Sequence, residues 1–484
     1  MTTTAEPTTD IAPVTAPSAE VVQYARRHEH TPATEDRSAR IGCVIPAYNE
    51  ADSIGPVLES LLAQTHVPDE VHVIINNTTD DTFYVAREYA GRHERTFRDR
   101  EMSCEVYVHD VGKLPDRKVG ALNIGYHLVA GCDYLLGVDG DTTLEKHTIE
   151  QLLAELHSDP RIGGISAIYS IDYDVDRRAM PQYLIAGQRQ QFASFNMVNL
   201  LRGRNMAVLG GQCSLFSMEA LRTVQHEHRQ LGPWVSDSEV EDSLLSLQLK
   251  RLGYSTKISA SARAFVGPMV TLRSLDAQQV KWTYGAIDLM WPGQRGNTQG
   301  QPFHPNMRLR WMENWSMLLN LLVRVGFVLL FAASMSIGAF VFNPLWLVPP
   351  AISILLNLRT ALSMHDRSPK DILFALLFVP GEIYMWIRIG HFLRSWTAFL
   401  MRKEQDNWAA QAQAERGGGG NAHLQPAVMA AVALITLVLI WTQMPLMQQA
   451  IVLWLAWPVL IVLTVLQTTA MMFKLFRRHR GYAV

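Results

Sequence analysis

From Val325 to Phe342 the chain is apolar without a break, long enough to cross a bilayer core of roughly 30 Å as a helix. A run of that length divides the molecule between two solvents. In lipid every backbone polar group needs an internal partner, and a single unbroken apolar segment meets that need as a helix. Leu345–Leu362 is a second candidate span, interrupted by Pro349, Pro350 and Arg359, and Pro426–Trp441 and Ile451–Phe473 are two more. Ile372–Leu393 carries Pro380, Gly381, Glu382 and Arg388 within an apolar stretch and reads as an interfacial or re-entrant helix, with a fifth span as the alternative.

Basic residues orient this half. With a cytosolic start, four spans leave Arg394, Arg402, Lys403 and Arg416 inside, together with Lys474, Arg477, Arg478 and Arg480, as the positive-inside rule requires. Residues 1–20 are rich in Thr, Ala and Pro and hold no apolar core of a signal peptide. The expected layout is a disordered segment over 1–38, a soluble domain over 39–300 and an interfacial helix over 301–316. A membrane region over 317–484 follows, with a Gly-rich cytosolic linker near 416–423. The expected address is the plasma (inner) membrane, multi-pass, with the soluble domain and both termini cytosolic. Net charge is −2, from 43 basic and 45 acidic residues, so there is no general electrostatic case for a nucleic-acid partner. The four cysteines, Cys43, Cys104, Cys132 and Cys213, fit neither a zinc site nor a disulfide framework.

Between Ile41 and about Phe265, apolar strand patterns alternate with helical ones. Ile41–Ala47, Val71–Ile75, Glu105–Val108 and Tyr134–Val138 read as buried strands; Ser53–Gln64, a segment after Thr79-Asp80, and Arg117–Val129 read as helices. Continuous apolar strands separated by helices predict a parallel α/β sheet covered on both faces. Ligands of such sheets bind beyond the carboxyl ends of the strands. Three polar clusters fall on that rim: Ala47–Glu50, Asn76-Asn77, and Asp139-Gly140-Asp141.

Asp139-Gly140-Asp141 can hold a divalent cation against a phosphate-bearing ligand, because magnesium takes one or two protein carboxylates and leaves other positions to phosphates. Further along, Val240-Glu241-Asp242 opens a helix. Ser238-x-x-Glu241 matches a capping box, a structural role for Glu241 that leaves Asp242 free. Gln278, Lys281 and Trp282 stand at i, i+3 and i+4, so one helical face presents all three. Arg324 and Glu382, inside apolar stretches, are functional candidates by default.

With these motifs in this order, the chain resembles the membrane-embedded branch of family 2 glycosyltransferases, which have the GT-A fold. That branch contains the cellulose, hyaluronan, chitin and poly-N-acetylglucosamine synthases. The resemblance covers Ile41 to about Trp282, and the membrane half more loosely. It implies that Ala47, Tyr48, Glu50, Asn76, Lys118, Asp139, Gln278 and Lys281 bind the nucleotide sugar. It also implies that Asp141 holds Mg²⁺ or Mn²⁺, Asp242 is the general base and Trp282 meets the acceptor sugar. Asn76 stands where the family usually has Asp, and Lys281 where it has Arg. The expected activity is inverting, metal-dependent polymerisation of a nucleotide sugar, with UDP the expected nucleotide, and passage of the glycan across the membrane. The expected partners are that donor, a growing glycan acceptor and the lipid bilayer. Two alternatives stand beside it: transfer of one sugar to a lipid-linked or protein acceptor, and non-catalytic nucleotide-sugar binding by a transport or scaffold protein.

Overall fold

A computed structural model describes residues 39–98, 100–173, 176–236, 238, 240–291, 308–401, 413–414 and 424–484. The segment expected to be disordered (1–38) and the expected Gly-rich linker lie outside the described residues.

The soluble part alternates strands and helices: β1 (Ile41–Ala47), α1 (Ile54–Leu62), β2 (Glu70–Ile75), α2 (Thr82–Arg87), β3 (Gly91–Phe97), β4 (Arg100–Asp110), α3 (Arg117–Leu128), β5 (Tyr134–Val138) and β6 (Thr143–Leu144). Then come α4 (Thr148–His157), β7 (Ile162–Ser170), α5 (Ala179–Leu201), β8 (Cys213–Ser217), α6 (Met218–His228), α7 (Glu241–Arg251), β9 (Ser255–Phe265) and α8 (Leu272–Met290). The nine strands form one sheet in the order β3-β4-β2-β1-β5-β8-β7-β9-β6. Apolar clusters cover both faces, one including Val57, Leu58, Leu61, Leu152 and Ile149, the other Leu122, Tyr126, Leu221 and Leu249.

The sheet is mixed, which corrects the all-parallel expectation. β4-β2-β1-β5 is parallel, as is the β7-β9 pair; β3, β6 and β8 pair antiparallel. β8 folds back on β5, and β3 returns along β4 as a hairpin. β3 reads Gly-Arg-His-Glu-Arg-Thr-Phe, with little apolar content to mark it as a strand. It lies at the sheet edge, where charged side chains guard against further pairing.

The apolar half contains α9 (Arg308–Ser336), a 3₁₀ turn (Pro344–Leu347), α10 (Val348–Leu362), α11 (Pro369–Leu376), α12 (Phe378–Leu400), α13 (Leu424–Gln443) and α14 (Leu446–Phe476). Among the described residues, three helices, Arg310–Ser336, Pro344–Leu362 and Leu446–Phe476, are long and apolar enough to cross a membrane. The pair α11 and α12, bent by 83°, is a broken span or a re-entrant loop; Ala430–Gln443 is a shorter apolar helix. The expected interfacial helix and first span are joined in α9. That helix stops at Ser336, before Phe342, because Gly338 takes φ +67 and Ala339 N–H donates to Ser334 O at 2.9 Å, a left-handed cap.

The two halves are fastened by buried polar contacts. Arg189 of α5 meets both oxygens of Asp371 in α11 at 3.0 Å, and Tyr173 OH donates to the same carboxylate at 2.8 Å. Ser395 of α12 donates to Val280 O of α8 at 3.3 Å.

Candidate active site

β2, β1 and β5 are parallel neighbours, so their carboxyl ends share one rim. Past β1 the chain turns at Asn49, past β2 at Asn77, each with φ 55. Asparagine tolerates that left-handed conformation better than most residues. Asn49 Oδ1 accepts from Thr79 N–H at 2.9 Å, and Asn49 N–H donates to Thr78 Oγ1 at 3.2 Å, so the two loops hold each other. Glu50 N–H donates to Thr82 Oγ1 at 2.8 Å, and the Ser53 hydroxyl donates to the Glu50 carboxylate.

A carboxylate-rich cluster sits inside this rim. Lys118 Nζ lies 2.6 Å from Asp139 Oδ1 and 4.0 Å from Glu241 Oε1. Asp242 Oδ2 accepts from Gly211 N–H at 2.8 Å. Three glycines make room for the cluster. A Cβ at Gly211 would lie 2.8 Å from Asp139 Oδ1 and 2.9 Å from Lys118 Nζ; one at Gly267, 2.5 Å from Asp141 Oδ2; one at Gly140, 2.8 Å from Glu50 Cγ.

Burial, then Glu241, pushes the Asp242 carboxyl up to about 7, Lys118 opposing and Asp139 adding to the rise. For Lys118, burial favours the neutral amine, but Asp139, Glu241 and Asp242 together outweigh it and hold the ammonium charged. A base whose pKa lies near operating pH combines availability with proton affinity.

α8 is capped by Thr271, whose side chain accepts from Ser274 N–H. Gln278, Lys281 and Trp282 then all line one cavity with Tyr48, Glu50, Asn76, Lys118, Asp139, Asp141 and Asp242. Trp282 leans on Phe192, with ring centroids 6.5 Å apart. Asn76 is buried, its amide donating to Asn77 Oδ1 at 2.9 Å. Ala47 is placed differently from the rest. Its side chain is fully buried in the core and absent from the cavity wall; its carbonyl accepts from Asn76 N–H at 3.1 Å.

Two features departed from or escaped the sequence reading. The capping box at Ser238 is not formed: α7 has no side-chain cap, and Ser238 Oγ accepts from Val240 N–H instead. Glu241, only 4 % exposed, turns toward Lys118 and belongs to the cluster. Gly211 is not among the sequence candidates, although Gly210-Gly211 shortly before a strand is a signal for close backbone approach.

The donor set at Asp141 is hard oxygen, which suits Mg²⁺ or Mn²⁺. Among the described residues, no three His, Cys, Asp or Glu donors converge there. One or two carboxylates completed by substrate phosphates would still fit a magnesium-type ion. The one convergent group among the described residues is Glu145, His365 and Asp366, at the surface and distant in sequence.

Residues 43–225 match the family model "Glycosyl transferase family 2". The chain carries a family 2 glycosyltransferase domain. Among curated proteins, the chain is similar to the poly-β-1,6-N-acetyl-D-glucosamine synthase of Staphylococcus epidermidis, 22 % identical over 255 residues, which is 52 % of this chain and 55 % of the relative. The S. aureus (strain MSSA476) protein of the same name is 23 % identical over 260 residues, 53 % of this chain and 56 % of the relative. The match thus spans about half the length of these curated relatives. Among solved structures, the mannosyltransferase PcManGT from Pyrobaculum calidifontis, in complex with GDP-Man and Mn²⁺, aligns over 93 % of this chain and 94 % of its own at 17 % identity, with a TM-score of 0.35. The family match thus falls within the mixed α/β domain, which is followed by apolar helices that are candidate membrane spans.

Proposed function

We propose that the protein is an inverting, divalent-metal-dependent, processive glycosyltransferase. It extends a polysaccharide from a UDP-sugar and passes the product between its own membrane helices. The observation that carries this reading is the cavity. About 2490 Å³ in volume, it runs without interruption from Asp139, Asp141 and Asp242 to Arg324, Trp346 and Trp457 among the apolar helices.

In this reading the nucleotide lies over the β1, β2 and β5 ends, beside Tyr48, Glu50, Asn76 and Asp139. Asp141 holds Mg²⁺ or Mn²⁺, which when bound supplies charge stabilisation to the departing diphosphate. Lys118 and Lys281 add fixed positive charge for the same developing anion. Asp242 takes the proton of the acceptor hydroxyl as that oxygen attacks the anomeric carbon. The bond to the diphosphate breaks, and a single displacement inverts the centre. Gly211 N–H holds the Asp242 carboxylate in place. Trp282 offers a flat apolar face to the acceptor ring.

The test is incubation of the purified protein in lipid with labelled UDP- and GDP-sugars and Mg²⁺ or Mn²⁺. Nucleotide release with a lengthening glycan is expected from one UDP-sugar. A product only one sugar longer under donor excess sinks processivity, and a preference for GDP-sugars sinks the nucleotide assignment.

A further inference from the structure

The charges along the cavity divide into two populations. At the rim, carboxylates predominate. Toward and among the apolar helices the lining includes Arg202, from the end of α5, and Arg310, Arg324, Arg388 and Lys474, against Glu313 and Glu382. Two of these cations are neutralised in place. Arg310 pairs with Glu313 at 3.1 Å, and Arg324 meets both Glu382 oxygens at 2.8 and 2.6 Å.

Arg202, Arg388 and Lys474 remain. Among the described residues, the Arg388 guanidinium and the Lys474 ammonium have no hydrogen-bond or ion-pair partner, and Arg202 touches only Met312 Sδ, at 3.9 Å. They come from three elements: the residue after α5, the middle of α12 and the last turn of α14. Lys474 feels the charges of both Arg202 and Arg388, and one carboxylate, Glu313, acts with opposite sign on all three. Burial, then Arg477, lowers the Arg202 pKa, as expected of a cation crowded by cations. Neighbouring Arg359 is occupied elsewhere, donating to the Lys474, Leu475 and Arg477 carbonyls. Glu313 is already paired with Arg310, so cations remain in excess on this part of the cavity wall, and an excess of cations beside apolar helices favours an anion.

We propose that Arg202, Arg388 and Lys474 form a binding site for a phosphate group, where the cavity passes from the catalytic domain into the membrane helices. Two forked guanidinium groups and one point charge suit the several oxygens of a phosphate. The phosphate comes from the headgroup of an anionic phospholipid or from free phosphate in solution. The site is separate from the Asp141 rim and needs no turnover to be measured.

The experiment uses the full chain in phosphatidylcholine nanodiscs, with EDTA present to suppress diphosphate binding at Asp141. One arm adds phosphatidic acid and reads co-retained lipid by native mass spectrometry; the other reads labelled inorganic phosphate by equilibrium dialysis. Wild type is expected to bind in at least one arm, phosphatidic acid above phosphatidylcholine. Arg388→Gln with Lys474→Gln is expected to weaken that binding about tenfold or more, the scale of losing a desolvated charge partner, whereas Arg388→Lys retains most of it. Signal in the lipid arm alone identifies a headgroup site; competition by free phosphate identifies a site open to solution. No binding by wild type in either arm overturns the proposal, and so does equal binding by the folded double variant. Should that variant fail to fold, a salt series on wild type decides: binding insensitive to ionic strength overturns the proposal.

Discussion

Asp242 is the residue on which the proposed chemistry turns, and its environment makes it testable twice. Asp242→Asn keeps the shape but cannot accept the acceptor's proton. Loss of transfer by about 10²–10⁴-fold, with unchanged binding of UDP, is expected; unchanged turnover removes Asp242 as base. With its pKa pushed up to about 7, kcat/KM should rise with pH to a plateau above that value, as the free carboxyl loses its proton. The stability consequence has the opposite sign. From the ordinary 3.8 up to about 7, the folded state keeps a proton that the unfolded chain has released, so stability falls as pH rises through this window. Thermal unfolding of Asp242→Asn against wild type should show that fall removed, the variant gaining most above pH 7. A second residue tests the metal anchor. Gly267→Ala brings a Cβ within 2.5 Å of Asp141 Oδ2, so the metal concentration giving half-maximal transfer should rise several-fold; an unchanged requirement places the anchor elsewhere. That Asp139, Asp141 and Asp242 share one cavity wall is legible in the sequence, because polar residues at strand ends and helix starts stand out against apolar runs. Glu241 was not, since a capping pattern and a site carboxylate look alike until Lys118, far off in sequence, is seen beside it.

At the scale of elements, legibility followed burial. β1, β2 and β5 are buried runs, and their periodicity located them and hence the rim. β3 is an edge strand of alternating half-buried and exposed polar residues, so hydrophobic pattern missed it. The join of α9 across the expected interface was hidden too, because Trp311 and Trp315 mark a membrane boundary whether or not the helix breaks there. The fastening of α5 to α11 depends on two side chains 182 positions apart. Arg189 and Asp371 are 3 % and 0 % exposed in their side chains. Removing one partner of a buried pair leaves an uncompensated charge, at a cost of about 3–5 kcal/mol. Asp371 also completes the α11 capping box with Ser368. Asp371→Ala should therefore lower the unfolding temperature of the full chain in detergent markedly, and Asp371→Asn, which can still cap, less so. Equal midpoints for wild type and Asp371→Ala would mean that the halves are held together by other contacts.

For the whole molecule, the question is whether one cavity serves both transfer and passage. Beyond the catalytic rim its wall changes character twice. First comes a polar band, in which Asn320 Oδ1 accepts from Arg324 at 2.6 Å and from Gln467 at 2.8 Å. Then comes an aromatic wall, where the rings of Trp346 and Trp457 stack 5.4 Å apart at 8° and Phe327 meets each edge-on. Hydrogen-bonding groups followed by flat apolar faces match the two surfaces of a sugar chain, its hydroxyl edges and its ring faces. If the glycan travels this way, blocking the wall should shorten the product without stopping the first transfer. Thr464 lines the cavity on α14, whereas Val462, two residues earlier, is 58 % exposed and off the cavity wall. Thr464→Trp should cut product length while nucleotide release with a short acceptor continues, and Val462→Trp should leave both unchanged. Full-length product from Thr464→Trp would mean that the chain leaves by another route, with the cavity holding an acceptor that stays in place.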